Sequence, residues 1–234
     1  MLALLPILPA LGLAFFNYFV QHQLVITQAQ EKADNLTLLI ANDQNNLIAN
    51  TQEVLIVLTE LPQIKTINYS NCSDTLADLV QQYPRYLNLG VVAPNGNLLC
   101  SAVPPPSNLN LSNQSWFRRA TLTRDYAVGD YSISPITNKR TVTLALPYFD
   151  AVGELEFVVF ASLDLEELLQ IPGLAELPEG MSLKVFDRNG IIMAIYPPAP
   201  ELIGQSARDF PLFQTILSRS KNFLAKENRK GVGS

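Results

Sequence analysis

Histidine is nearly missing from this chain: His22 is the only one among 234 residues. A Ser-His-Asp triad, an imidazole general acid and zinc sites built from cysteine and histidine therefore lack their parts. Cysteine is scarce as well, and Cys72 and Cys100 stand too far apart for a redox CxxC or a metal knuckle. Charged residues make up only 16% of the chain, the formal net charge is -5, and the Lys and Arg are scattered. A phosphate backbone would find no electrostatic footprint, so nucleic acid is not an expected partner. Neither GxSxG nor HExxH occurs, and the paired acids Glu166 and Glu167 fall on a short helical turn. No catalytic residue, metal site or cofactor is expected.

What the chain has is apolar surface, 48% of its residues, and part of it is concentrated at the start. Met1 to Val20 carries no charged side chain, and a helix of that length matches the ~30 Å bilayer core. Residues 1–20 are expected to form a transmembrane anchor. A cleaved signal peptide is the rival, but no basic segment precedes the run and no small-x-small site follows it. The first Lys or Arg is Lys32, so the positive-inside rule has nothing to count. From Gln21 to Leu61 no Gly or Pro interrupts the chain, and Ile40, Leu47, Val54 and Leu61 recur every seven residues. That spacing predicts a long stalk or packing helix over 21–61, seated on its own domain, on a second subunit as a homodimer, or on both.

The body reads as an α+β fold, with antiparallel strands flanked by the long helix. Pro62 closes that helix, and Ser73 to Tyr83 predicts a short amphipathic helix with Ser73 as its N-cap. Leu87 to Val92 and Leu98 to Ala102 flank an Asn95-Gly96 turn and predict a hairpin. A helix capped by Asn113 or Ser115 is expected from Trp116, followed by strands over Tyr131–Ile136, Thr141–Tyr148 and Glu154–Leu163. A short helix over Glu166–Leu169 completes a lobe assigned to 62–170. A second hairpin around Asn189-Gly190 and a helix over Pro211–Ser218 open a further unit, 171–234, which reads as incomplete and repeats the plan of the first hairpin.

Candidate binding residues gather around the sole tryptophan. Trp116 offers a broad rigid wall with Phe117 beside it, Tyr131 can present a hydroxyl from the facing strand, and Arg118 or Arg119 can meet an anion. Tyr148 and Asp150 are candidates for the rim. The plainer account is that Trp116 and Phe117 fill the core, the arginines face solvent, and Asp150 shapes a turn. For Cys72 and Cys100 a disulfide would close a loop of about 28 residues and stabilise by roughly 2–4 kcal/mol in an oxidising compartment, with two free thiols as the alternative.

The segments YPRYLNLGVVAPNGNLLCSA, NLSNQSWFRRA, YAVGDYSISPITNKR and ALPYFDAVGELEFVVFASLDL closely resemble the double Cache sensor modules of bacterial histidine kinases, diguanylate cyclases and chemoreceptors. LKVFDRNGIIMAIYP and IGQSARDFPLFQTIL look like the start of the membrane-proximal lobe of the same architecture. The resemblance implies antiparallel PAS-like sheets, a small-molecule ligand held beside Trp116 in the membrane-distal lobe, and pairing of Cys72 with Cys100. It also implies a body outside the inner membrane, in the periplasm, reporting occupancy through the long helix. In the amino-acid-binding branch an arginine stands two positions before the tryptophan and an aspartate in a later loop. Here those places hold Gln114 and the loop Pro135-Ile136-Thr137-Asn138, so the expected ligand is not an α-amino acid. The alternative is a membrane-tethered interaction protein, or a decayed receptor fragment, with no ligand.

Overall fold

The structure is a computed structural model and describes residues 45–65, 69–106, 108–168, 182–208 and 213. The expected anchor over 1–20 lies outside them, as does the long helix before residue 45. Among the described residues no helix is long and apolar enough to cross a membrane. The chain divides into two compact units, and everything described from Ile48 onward belongs to one of them, Ile48–Gln170 with Ser182–Ser234.

Helix α1 covers 45–60, and Pro62 starts a separate short helix α2 (Pro62–Lys65), because its ring denies the helix interior a donor but suits a first turn. Helix α3 runs over Tyr69–Gln82 and so begins before Ser73. Ser73 is no N-cap; its hydroxyl instead accepts from the Ser101 backbone N–H at 3.4 Å. The reason lies at Cys72, which with Leu76 forms the buried i, i+4 stripe of α3, 2% and 0% exposed. Cys72 is joined to Cys100 by a disulfide with Cα atoms 6.1 Å apart, fastening the helix to the sheet.

The strands are β1 (Tyr86–Val92), β2 (Leu98–Ser101), β3 (Ala127–Val128), β4 (Ser132–Ile133), β5 (Arg140–Phe149) and β6 (Leu155–Asp164). They form one antiparallel sheet in the order β2-β1-β6-β5-β3, with β4 also paired to β5. The α+β expectation holds, and both sheet faces are covered. That is why β1 and β6 read as nearly unbroken apolar runs with little alternation, and why both are buried almost throughout. Pro147 is accommodated in β5 because β3 pairs only as far as Ala145, leaving an open edge that needs no donor.

Helix α4 (Ser115–Thr123) follows Gln114, whose side chain makes no cap bond. Ser115 lies inside the helix, and its hydroxyl accepts from the Asp130 N–H at 3.0 Å. The strand expected over Tyr131–Ile136 shrinks to β4 because the chain turns at once. Ser134 Oγ accepts from the N–H groups of Ile136 and Thr137, and Asn138 takes φ 53°, a left-handed conformation that asparagine tolerates. Helix α5 is Leu165–Leu168.

Strands β7 (Leu183–Phe186) and β8 (Ile192–Tyr196) form the second hairpin. Its turn is held by Asp187 Oδ1, which accepts from Asn189 N and Ile191 N, with Gly190 at φ +79°. Ile192, Ala207 and Phe213 make its small core. Phe213 is the only described residue of the helix expected over Pro211–Ser218.

Candidate functional site

Strand alternation sorts the sheet into two chemically different faces. On one face β5 presents Thr141, Thr143 and Ala145, and β6 presents Val158, Phe160 and Ser162. Helix α4 lays Trp116, Phe117 and Ala120 onto this face. The Trp116 ring packs 5.0 Å from Phe160, and the Phe160 ring lies directly over Gly90. A Cβ at Gly90 would stand 2.5 Å from that ring, so glycine is what lets the ring approach the strand this closely.

Beside Trp116 the β4–β5 turn closes over a cavity of about 10 Å³, room for about one water. Leu111, Pro135, Ile136 and the two rings supply its apolar lining, and Gln114, Ser132, Ser134, Thr141, Thr143 and Ser162 its polar lining. Thr143 and Ser162 are hydrogen-bonded hydroxyl to hydroxyl at 2.9 Å, and Thr141 Oγ1 donates to the Leu163 carbonyl. Every one of those polar groups is uncharged.

The other candidates lie elsewhere. Phe117 packs with Ala120 and Ala127 in the core behind Trp116. Arg119 donates to the Val128 carbonyl and pairs with Asp130 at 3.1 Å, while Arg118 is exposed. Tyr131 turns toward the second hairpin: its N–H donates to Asp187, and its hydroxyl lies 3.0 Å from where a Cβ on Gly204 would sit. Tyr148 is on the opposite face of the sheet, stacked on Phe157 at 4.8 Å with the Lys65 ammonium 5.4 Å from its ring. Asp150 accepts from Val152 N and Glu154 N and organises the β5–β6 turn. Of the seven side chains singled out as candidates, only Trp116 lines the cavity.

The residues that reading left out are the hydroxyl wall and Asp130. Thr141 and Thr143 stand two apart on a strand, which places both on one face, and Ser162 interrupts the apolar run of β6. That was the available signal. Asp130 gathers Arg119 and Arg188 around its carboxylate, the latter at 3.4 Å, and the Val128 carbonyl accepts from both guanidinium groups. This hub ties the Trp116 helix to the turn between β7 and β8. Asp130→Asn is expected to lower stability by about 1 kcal/mol, limited by the half-exposure of Arg188, and to speed amide exchange in β7 and β8 about fivefold. Hydrogen-exchange mass spectrometry reads both effects, and unchanged protection of 183–196 would count against the hub.

The opposite face is covered by α1, α2 and α3. There Thr51 and Tyr86 share a hydrogen bond at 3.3 Å, and burial pushes the Tyr126 phenol well above its usual pKa, keeping it neutral. The Lys65 ammonium donates to Glu60 at 2.7 Å, and this bond raises its pKa. A groove of about 610 Å³ opens between α1, α3 and β1, with Val54, Leu58, Leu79 and Leu89 in its wall. The same groove also carries Asn50, Glu53, Thr75, Tyr83, Arg85 and Tyr86, so it is charged in part as well as far larger, whereas the polar side chains on the Trp116 cavity are all uncharged.

Comparisons with known proteins bear on the fold and the family. Sporulation kinase D of Bacillus subtilis (strain 168) is 21% identical over 187 residues, 80% of this chain and 36% of that protein. The chain thus spans little more than a third of the length of that curated relative. The ligand-binding domain of the Campylobacter jejuni chemoreceptor Tlp3, solved with L-valine, superposes with a TM-score of 0.59 at 17% identity, covering 84% of this chain and 81% of that one. The sensor domain of the V. cholerae histidine kinase DctB gives 0.54 at 15% identity, with 86% and 78% covered. The family model of the Cache domain (dCache_1) matches residues 20–231. A PAS-like antiparallel sheet with a helix and turn closing over one face, matched by that model across nearly its whole length, makes this chain a member of the Cache domain family.

Proposed function

We propose that this Cache domain is the small-molecule sensing module of a bacterial membrane receptor, with residues 62–170 as the sensing lobe and the Trp116 cavity as its ligand site. The observation that carries this is the convergence of six uncharged polar side chains and the sole indole on one partly open cavity. A sensor also needs two packings between which a ligand can choose. The β4–β5 turn supplies the movable wall: β4 is two residues long, Asn138 is left-handed, and the buried Thr137 hydroxyl has no hydrogen-bond partner. Outward movement of Ser134 to Asn138 would enlarge the cavity to ligand size and pull on the segment that carries Asp130. Occupancy would then reach the second hairpin through Arg188, beside the route through the long helix.

The wider assignment follows the family. An anchor over 1–20 would hold the body on the periplasmic side of the inner membrane, with the lipid bilayer as partner. Residues 171–234 would belong to a membrane-proximal lobe. Ile56, Val57 and Tyr83 are exposed beside the α1–α3 groove, a face suited to a homodimer through the long helix.

The test is a thermal-shift screen of the full chain read together with Trp116 emission, since a ligand that binds only the native state raises the melting temperature. A ligand of this cavity will shift both readouts in the wild type and neither in Ser132→Leu, which fills the cavity from the sheet edge. A compound that stabilises both proteins equally and leaves the emission unmoved would place the site elsewhere. A tethered interaction protein without a ligand would respond to nothing in the screen.

A further inference from the structure

We infer that the ligand of the Trp116 cavity is a small uncharged amide or alcohol with one apolar face, and not a carboxylate, an ammonium or a zwitterion. This rests on the cavity being the ligand site. The inference comes from counting what the buried wall can offer. Thr141, Thr143, Ser134 and Ser162 are each at least nine-tenths buried. In the Thr143–Ser162 pair one hydroxyl donates to the other, so the accepting member keeps its own proton to donate elsewhere. Ser134 Oγ accepts twice from the turn backbone and likewise keeps a proton to donate. Thr141 donates its proton to Leu163 and keeps its lone pairs. The wall therefore presents both donors and acceptors, which complements a group that both donates and accepts. Amides and alcohols do so without charge.

Across from these hydroxyls stand the Trp116 and Phe160 rings with Leu111 and Ile136, which suit a short alkyl or flat apolar face. Among the described residues no ionised side chain lines the cavity. Of the four cations on the flanking segments, Arg119 holds Asp130 and the Val128 carbonyl and Lys139 holds Asp164 at 3.3 Å, while Arg118 is exposed, Arg140 is one step along β5 from Thr141, and neither lines the cavity. A carboxylate or ammonium entering this point would lose its hydration and meet no countercharge, the most unfavourable form of polar burial. A neutral group exchanges water hydrogen bonds for hydroxyl ones at little loss.

The experiment uses matched probes of one size, propionamide and 1-propanol against propionate, propylammonium and alanine, on the purified full chain. Melting temperature and Trp116 emission are recorded for the wild type, Thr143→Val and Thr143→Ser. A neutral probe is expected to move both readouts, to bind about tenfold more weakly to Thr143→Val, and to recover in Thr143→Ser, while the charged probes move neither. If a charged probe moves both readouts and loses its effect in Thr143→Val, the cavity is the site but this assignment of ligand class is wrong. If no neutral probe moves the emission at millimolar concentration, the assignment also falls. If probes stabilise the chain with emission unmoved and with no dependence on residue 143, the site reading falls with it.

Discussion

Phe160→Ala should destabilise the chain by about 4 kcal/mol, because the ring is buried where nothing can close behind it. Its side chain is 2% exposed and wedged between Trp116 and the backbone of Gly90. Strand β6 is hydrogen-bonded to β1 on one side and β5 on the other, so the sheet cannot fold inward to fill the void. The glycine beneath the ring has no side chain to move into it either. The loss should appear in denaturant titration as a lower midpoint with an unchanged m-value. Trp116 emission should shift to the red as water reaches a ring that has lost its neighbour. Leu122→Ala, at a position 80% exposed, serves as the control and should change stability by less than about 0.5 kcal/mol. A loss below about 1 kcal/mol for Phe160→Ala would mean that the Trp116 face repacks freely, and the case for a defined cavity there would weaken.

Removing the disulfide is the other large effect. Cys72 and Cys100 are 28 residues apart, and closing a loop of that length takes about 3.5 kcal/mol of conformational freedom from the unfolded chain. Both residues are buried, so the comparison is cleanest with Cys72→Ala and Cys100→Ala together, which avoids burying a serine hydroxyl without a partner. The double variant should unfold about 3.5 kcal/mol more easily than the oxidised wild type. Added reductant should bring the wild type down toward the variant and leave the variant unchanged. A difference near zero would show that α3 stays on β1 and β2 through packing alone, with Leu76 sufficient to hold it. The effect should also be local in character, with exchange protection falling first in α3 and β2, the two elements the bond joins.

How much of this was legible beforehand differs from residue to residue. The two hairpins were readable because Asn95-Gly96 and Asn189-Gly190 supply the positive φ that tight turns demand, and Gly96 and Gly190 take it at +87° and +79°. Strand β6 was readable from its unbroken apolar run, and α4 from the tryptophan segment. Two-residue strands were not: Ala127-Val128 carries no period to detect, and β4 could not be separated from the turn that follows it. The grouping around the cavity was only partly legible. Trp116 stood out as the sole indole, but Tyr148 was grouped with it although an odd step along β5 from Thr143 puts it on the other face.

By itself, then, the order of residues determined the two hairpins, the long strands and the likeness that points to the Cache family. Those rest on local period, turn chemistry and composition, all of which lie within a few consecutive residues. Only the folded chain decided that Arg119 and Arg188 both serve Asp130, that Tyr131 faces the hairpin, and that neutral hydroxyls from β4, β5 and β6 share one cavity with Trp116. Such groupings depend on which strands become neighbours and in what register. Pairing of that kind joins residues far apart along the chain, and a local pattern carries no trace of the partner it will meet.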